Sequence, residues 1–246
     1  MEDDSILKMP PADQGFVGTL NKMGFMTTGL DPVSSSFIEF APSAPGPALD
    51  IGAAYGVASL PALRLGMKVI ANDIDERHLE ILRNNAPNSL RANLTLAPGA
   101  FPEGLNFAAG SIGCALVCRV LHFFPGSKIT LAAQTLYSWI NSGGRAFIVA
   151  ETPYVRTLKD LIPTYEERVR SGVTWPGYFD TIHEINPALA QALPPSMHLL
   201  DPTILEREFS KAGFKIELVR LIARSDFPSW LQWDGRESVG LIASKP

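Results

Sequence analysis

Residues 48–56, with the sequence ALDIGAAYG, constrain the fold of this chain more than any other segment. A short apolar run here ends at Asp50 and enters a turn of small residues that contains two glycines. A helical pattern follows, and a second apolar run then leads to Asp73. We interpret the pattern as strand, turn, helix and strand, which is half of a nucleoside-binding α/β domain.

The two acids and the turn between them indicate the kind of nucleoside. Asp73 follows Asp50 by 23 positions, the separation that one strand–turn–helix–strand unit requires. An acid at the end of the second strand can accept hydrogen bonds from both hydroxyls of a ribose. A dinucleotide fingerprint would have glycines where this chain has Ala54 and Val57. The charge of Asp50 would also repel a pyrophosphate, so the turn favours a cationic nucleoside.

These residues resemble the D-x-G-x-G-x-G motif of class I S-adenosylmethionine-dependent methyltransferases, with Ala54 in place of the middle glycine. Other segments resemble further motifs of that family. They are residues 72–75 (NDID), 99–102 (GAFP), 111–124, 141–145 (NSGGR) and 211–214 (KAGF). The resemblance is strong over residues 47–151, weaker over 201–246 and absent between them.

The resemblance implies a Rossmann-like, three-layer α/β/α fold whose mostly parallel seven-stranded sheet has an antiparallel last strand. It also implies S-adenosyl-L-methionine as the cofactor. We expect a single domain over residues 1–246, because a chain of this length with 46% hydrophobic residues can bury one large core. We predict a helical extension at residues 14–40. A mostly helical lid insertion is predicted at residues 152–200, over the carboxyl ends of the strands, where ligands bind in open α/β sheets.

Charge and cysteine content limit the partners and the location. The net charge is −4, and no run of Lys or Arg could follow the phosphates of a nucleic-acid duplex. The acidic N-terminus is unlike a signal peptide, and the longest apolar stretch, 112–124, is too short for a membrane span. Cys114 and Cys118 would lie roughly 13 Å apart on one strand, too far for a disulfide. We therefore predict a cytoplasmic protein that contacts neither duplex nucleic acid nor membrane, and leave its oligomeric state open.

The resemblance assigns cofactor contacts to residues near the ends of four predicted strands. Asp50 is expected to attract the amino group of the cofactor, Asp73 to bind the ribose and Ile74 to pack on the adenine. The acid that often meets the adenine amine in this family is missing, so backbone groups near Ala100 or the ring of Phe101 are expected to substitute. The expected cofactor-binding residues are Asp50, Gly52, Ala53, Ala54, Tyr55, Gly56, Asp73, Ile74, Ala100, Phe101, Cys118 and Arg119.

Two residues are candidates for a catalytic role. A sulfonium methyl donor is intrinsically electrophilic, so the protein mainly aligns the nucleophile and excludes water. His122, after the fourth strand, is a candidate general base with a pKa near neutrality, and a structural histidine is the equal alternative. Tyr154, in the insertion, is the second candidate, with packing of the insertion as its alternative. No metal is expected, because Cys118 and Arg119 are not hard-cation ligands.

The sequence therefore predicts a metal-independent methyltransferase that transfers a methyl group directly to a small-molecule acceptor. A protein or RNA methyltransferase is the alternative within the enzyme class. Outside it, the alternative is a non-catalytic S-adenosylmethionine-binding partner subunit, which a blocked substrate pocket beside an intact cofactor site would distinguish. The missing middle glycine disfavours a dehydrogenase.

Overall fold

A seven-stranded sheet forms the centre of the computed structural model, which describes residues 7–246. Its strands are β1 (Ala48–Ile51), β2 (Val69–Asp73), β3 (Leu94–Pro98), β4 (Ile112–Cys118), β5 (Ile140–Glu151), β6 (Lys215–Ile222) and β7 (Ser238–Ser244). Across the sheet they are ordered β6-β7-β5-β4-β1-β2-β3. The last strand, β7, is antiparallel to both of its neighbours, whereas β5, β4, β1, β2 and β3 pair in parallel. The predicted fold class is confirmed.

Helices cover both faces of this sheet and form much of the segment that follows β5. They are α1 (Pro32–Phe40), α2 (Ser59–Arg64), α3 (Glu76–Asn85), α4 (Gly126–Trp139), α5 (Ile162–Arg170), α6 (Ile182–Ile185) and α7 (Pro202–Ala212). Along β4, Cys114 and Leu116 pack with α1, whereas Ala115 and Val117 pack with α4 and α7. Successive side chains of a strand point to opposite faces, so a strand buried on both faces needs the continuous apolar run seen here.

Local capping signals fix where α1 and α7 begin. Asp31 accepts hydrogen bonds from the backbone N–H groups of Val33 and Ser34, and Asp201 accepts one from Ile204. A proline follows each acid at the first helical position, where its missing N–H costs nothing. The start of α1 also brings Asp31 to the ligand-binding edge of the sheet.

Residues 14–40 contain a β-hairpin as well as a helix. Strands Phe16–Gly18 and Phe25–Thr27 pair antiparallel, and α1 begins only at Pro32. The predicted helical extension is therefore wrong in its first half and correct over α1. Residues 18–24 include two glycines, a threonine and an asparagine, which favour a turn over a helix.

The segment 152–200 follows β5 and consists of α5, α6 and two 3₁₀ helices, Arg156–Leu161 and Pro187–Gln191. A short ladder between Tyr178–Phe179 and Met197–His198, absent from the prediction, closes its outer end. The segment has a small apolar core of its own. That core consists of Tyr154, Leu158, Leu161, Tyr165, Phe179, Ile182, Met197 and Leu199.

Candidate functional site

A cavity of about 230 Å³ lies at the carboxyl ends of β1, β2, β4 and β5. Its floor consists of the turn after β1 and the neighbouring strand ends. These floor residues include Asp50, Gly52, Ala53, Ala54, Asp73, Ile74, Ala100, Phe101, Cys118, Arg119, His122 and Glu151. Three segments cover it: the N-terminal hairpin, the insertion and the connection between β6 and β7. They contribute residues that include Phe16, Met23, Phe25, Met26, Val155, Leu158, Leu193, Met197, Phe227 and Trp230.

The turn after β1 requires glycine at its first bend. Gly52 has a φ of 72°, and a Cβ there would lie 2.4 Å from Cγ2 of Val120. Ala54, at the position of the family's middle glycine, also has a positive φ, of 45°. Its N–H donates to Oδ2 of Asp73 at 3.0 Å, and a hydrogen bond to a carboxylate offsets the cost of the left-handed backbone. Alanine is therefore tolerated where the family motif has glycine.

Tyr55 and Gly56 are not among the residues that line the cavity, and their side-chain positions are explained by packing. The Tyr55 hydroxyl donates to the carbonyl of Gly18 at 2.8 Å, and its ring is buried beside Ile81. A Cβ on Gly56 would lie 2.8 Å from Cγ of Leu82 on α3. These two residues pack the turn against the N-terminal hairpin and α3, which the motif alone does not distinguish from ligand contact.

Asp73, at the end of β2, is buried and accepts three hydrogen bonds from the protein. The donors are the N–H groups of Ala54 and Asp75 and Nδ1 of His78, at 3.0, 2.9 and 3.0 Å. The backbone N–H of Leu20 donates to Nε2 of His78 at 2.9 Å, so the neutral ring carries its hydrogen on Nδ1. Because a carboxylate has about four acceptor positions, Oδ2 retains room for a donor from the cavity.

Asp50 lies at the end of β1 and accepts a hydrogen bond from Oγ of Ser59 at 2.6 Å. Burial raises the pKa of Asp50 to about 6; the hydrogen bond from Ser59 opposes this shift and the nearby charge of Asp73 adds to it. A cation bound beside Asp50 would favour its ionised form. The site is therefore suited to a positively charged ligand group.

The far end of the cavity, near β3, offers an apolar surface. Ile74 lines it and is 59% exposed, so its side chain is free to meet a ring. Ala100 also lines it. Phe101 is buried, with its ring centroid 6.2 Å from that of Phe124 and 6.0 Å from that of Trp139. Phe101 thus forms a fixed part of the wall.

Cys118 and Arg119 lie at the end of β4, and both line the cavity. Burial raises the pKa of the Cys118 thiol to about 12, which leaves it protonated and unsuited to nucleophilic attack. Arg119 has a φ of 61°, and its Nη1 lies 2.5 Å from Oε1 of Glu151. Its guanidinium also lies 5.1 Å from the ring centroid of Phe227.

His122 lines the cavity, but its geometry does not favour the predicted role as a general base. The backbone N–H of Glu151 is within 3.3 Å of Nδ1 and donates to it, so Nε2 carries the hydrogen. Burial, together with the charge of Arg119, lowers the pKa of His122 well below its usual range. The ring therefore has no free lone pair to accept a proton from a substrate. The structural alternative for this histidine is the one that the geometry favours.

Tyr154 is not among the residues that line the cavity, and its contacts favour the packing alternative over a catalytic role. Its ring packs edge-on against Tyr165 at 6.1 Å within the core of the insertion. The guanidinium of Arg236 lies over the ring, 3.5 Å from its centroid. The Tyr154 side chain therefore packs within the insertion and stabilises it.

Sequence patterns did not indicate two residues that line the cavity, Glu151 and His78. Glu151 is an acid at the end of a strand, as Asp50 and Asp73 are, and the same reasoning applied to β5 would have found it. His78 lies inside α3, and its contact with the N-terminal hairpin has no local sequence signal.

Within residues 7–246, no group of three or more His, Cys, Asp or Glu side chains is placed to hold a metal ion. In the same part of the chain, no helix combines the length and apolar character needed to cross a membrane.

A family model described as a methyltransferase domain matches residues 48–144, which include the turn, both acids and β4. Residues 48–144 therefore match a methyltransferase domain, and the order of the seven strands agrees with the expected fold. The family resemblance inferred from the motifs is confirmed. No curated protein matches this methyltransferase at the sequence level.

Solved structures share the fold over most of the chain. A SAM-dependent methyltransferase from Methanosarcina mazei is 17% identical with a TM-score of 0.63, covering 88% of this chain and 98% of that one. The glycopeptide N-methyltransferase MtfA, complexed with S-adenosyl-L-homocysteine, is 15% identical with a TM-score of 0.55, covering 87% of each chain. Geranyl diphosphate methyltransferase, in complex with GPP and sinefungin, is 13% identical with a TM-score of 0.60, covering 87% and 77%. At these identities the likeness is one of fold.

Proposed function

We propose that this protein is an S-adenosylmethionine-dependent methyltransferase that acts on a small-molecule acceptor. The observation that carries the proposal is a single covered cavity with two distinct halves. The strand ends that hold Asp50 and Asp73 form one half, and apolar side chains of the covering segments form the other.

The residues of the first half fit the proposed cofactor. Oδ2 of Asp73 is available to a ribose hydroxyl, and the buried Asp50 would attract the amino group of the methionine portion. Gly52 lines the cavity beside them, and Ile74 offers an apolar face to the adenine. When bound, S-adenosylmethionine supplies an electrophilic methyl group. The protein's own task is then to orient the acceptor and exclude water.

The covering segments support a small acceptor over a macromolecule. The hairpin, the insertion and the β6–β7 connection all contribute to the cavity wall, which favours a ligand that is enclosed. Solved structures with this fold include methyltransferases named for a glycopeptide and for geranyl diphosphate. The open space beside Asp50 also favours an enzyme over a non-catalytic partner subunit. Free cysteines at 114 and 118 support a cytoplasmic location.

The test has two stages. Calorimetric titration with S-adenosylhomocysteine should give saturable binding to one site. The protein is then incubated with methyl-labelled S-adenosylmethionine and, separately, with small-molecule, protein and RNA fractions of a cell extract. Label in the small-molecule fraction is the expected result. Label confined to protein or RNA would favour the alternative enzyme, and cofactor binding with no labelled product would favour the partner subunit.

A further inference from the structure

A buried ion pair in the cavity wall lacks the hydrogen bonds that such a pair normally makes. Glu151 is 5% exposed, and both it and Arg119 line the cavity. Oε1 of Glu151 and Nη1 of Arg119 form an ion pair at 2.5 Å. Within residues 7–246, neither atom forms a hydrogen bond of acceptable geometry. Their charges are balanced, but a carboxylate has about four acceptor positions and Arg119 fills only part of them.

Such an arrangement is costly unless a ligand completes it. Burying a carboxylate carries a large desolvation penalty, and an ion pair offsets it only when further hydrogen bonds satisfy the remaining lone pairs. Glu151 lines the cavity, and the acceptor positions of its carboxylate that Arg119 does not fill therefore point to a ligand that donates to it.

The backbone holds both residues firmly in position. The N–H of Arg119 donates to the carbonyl of Val149 at 2.8 Å, and that of Glu151 donates to His122. Arg119 keeps a positive φ, a conformation that costs a non-glycine residue energy and persists where the surroundings enforce it. The carboxylate is thus preorganised, as a recognition group needs to be.

The covering segments line the same cavity mainly with apolar side chains, beside a few polar ones such as Asn21 and Thr157. The apolar side chains include Met23, Phe25, Val155, Leu158, Met197 and Trp230. A ligand that fits it would have an apolar body and one polar head directed at the ion pair.

We propose that Glu151, held by Arg119, anchors the methyl acceptor by accepting a hydrogen bond from its O–H or N–H group. The acceptor class is then an apolar small molecule with a hydroxyl or amine head. A carboxylate head is disfavoured, because it would face the charge of Glu151. This inference rests on the proposed function and identifies the acceptor end of the same site.

The test uses matched aromatic probes on the protein saturated with S-adenosylhomocysteine. Benzyl alcohol and benzylamine carry a donor, benzyl methyl ether lacks it, and benzoate carries a negative charge. Ligand-observed NMR titration should show the alcohol and the amine binding roughly tenfold or more tightly than the ether and benzoate, as expected for a hydrogen bond to a charged acceptor.

Glu151→Gln should remove most of this preference and improve benzoate binding, because it leaves the charge of Arg119 unpaired. Glu217→Gln is the matched control, since Glu217 pairs with Arg145 at 3.1 Å and neither residue lines the cavity. It should leave the ranking unchanged. A merely structural role for Glu151 would weaken all four probes alike.

Two results would overturn the inference. One is equal binding of the alcohol and its ether to the wild-type protein, a comparison that does not depend on any variant folding. The other is no binding of the alcohol or the amine while S-adenosylhomocysteine binds normally. Failure of the wild-type protein to bind S-adenosylhomocysteine would instead count against the proposed function.

Discussion

His78 places Nδ1 3.0 Å from Oδ1 of Asp73 while its Nε2 accepts the N–H of Leu20. One imidazole ring therefore connects the N-terminal hairpin to the acid that is expected to bind the ribose. Tyr55 makes a second connection to the hairpin through the carbonyl of Gly18. The hairpin is thus attached at two points to the elements that form the cofactor half of the cavity.

We expect His78→Ala to weaken binding of S-adenosylhomocysteine roughly tenfold, because Asp73 loses a donor that orients it. The same change should speed hydrogen exchange at the Leu20 amide. Tyr55→Phe is the matched control, since it loosens the hairpin without touching Asp73. Calorimetry and amide exchange measure the two effects. Faster exchange with unchanged affinity in His78→Ala would show that the ring supports the hairpin alone.

Asp73→Asn should weaken binding of S-adenosylhomocysteine by roughly tenfold or more. The amide removes the charge and replaces one acceptor oxygen with a donor, which opposes either the Ala54 N–H or a ribose hydroxyl. Asp75→Asn is the control, because Asp75 pairs with Arg77 away from the cavity and asparagine caps a helix equally well. Equal affinities for the two variants would remove Asp73 from the cofactor site.

The buried Asp50 predicts a characteristic pH dependence. Its pKa of about 6 means that it becomes neutral as the pH falls below 6 and then no longer attracts an amino group. Affinity for S-adenosylhomocysteine should therefore fall between pH 7 and pH 5, and Asp50→Asn should flatten that change. The free energy of unfolding should change in the opposite direction and rise as the pH falls. The pKa of Asp50 in the folded protein lies above the ordinary value of 3.8, so the wild type becomes more stable relative to Asp50→Asn as the pH falls from about 6. Parallel affinity profiles for the two proteins would contradict this role.

Sequence patterns predicted the elements whose signals are local. Helix α7 begins with Asp–Pro and ends at Gly213, which are typical signals for the start and the end of a helix. The apolar run of β4 likewise reports burial on both faces. The floor of the cavity follows from these elements, because the carboxyl ends of parallel strands meet at one edge.

The remaining features depend on contacts between residues far apart in the chain. Ala54 and Tyr55 belong to the same motif, so the motif predicts the same role for both. The position of Tyr55 is explained by the hydrogen bond from its hydroxyl to Gly18, 37 positions earlier in the hairpin. His122 is a candidate base by position, and its partner in β5, 29 residues later, determines its tautomer. Such pairings have no periodicity that a sequence can display.

Methyl transfer by this protein should survive exhaustive treatment with EDTA. The described carboxylates near the cavity already have protein partners, as Asp73 has in His78, and are not clustered as a divalent ion requires. Activity is measured after dialysis against the chelator, with and without added magnesium. Loss of activity that magnesium restores would contradict the expectation of a metal-independent reaction.

His122 should matter for stability through the hydrogen bond that it accepts from Glu151. In His122→Asn, the side-chain oxygen can take the place of Nδ1, so the buried N–H keeps an acceptor. In His122→Leu that N–H is left unsatisfied, which costs about 1–3 kcal/mol. Urea denaturation should therefore show His122→Leu to be less stable than His122→Asn by about that amount.

If His122 instead acted as a general base, both variants would lose activity by about 100-fold or more at unchanged cofactor affinity. Once an acceptor is known, near-normal turnover in His122→Asn would establish the supporting role that the geometry assigns.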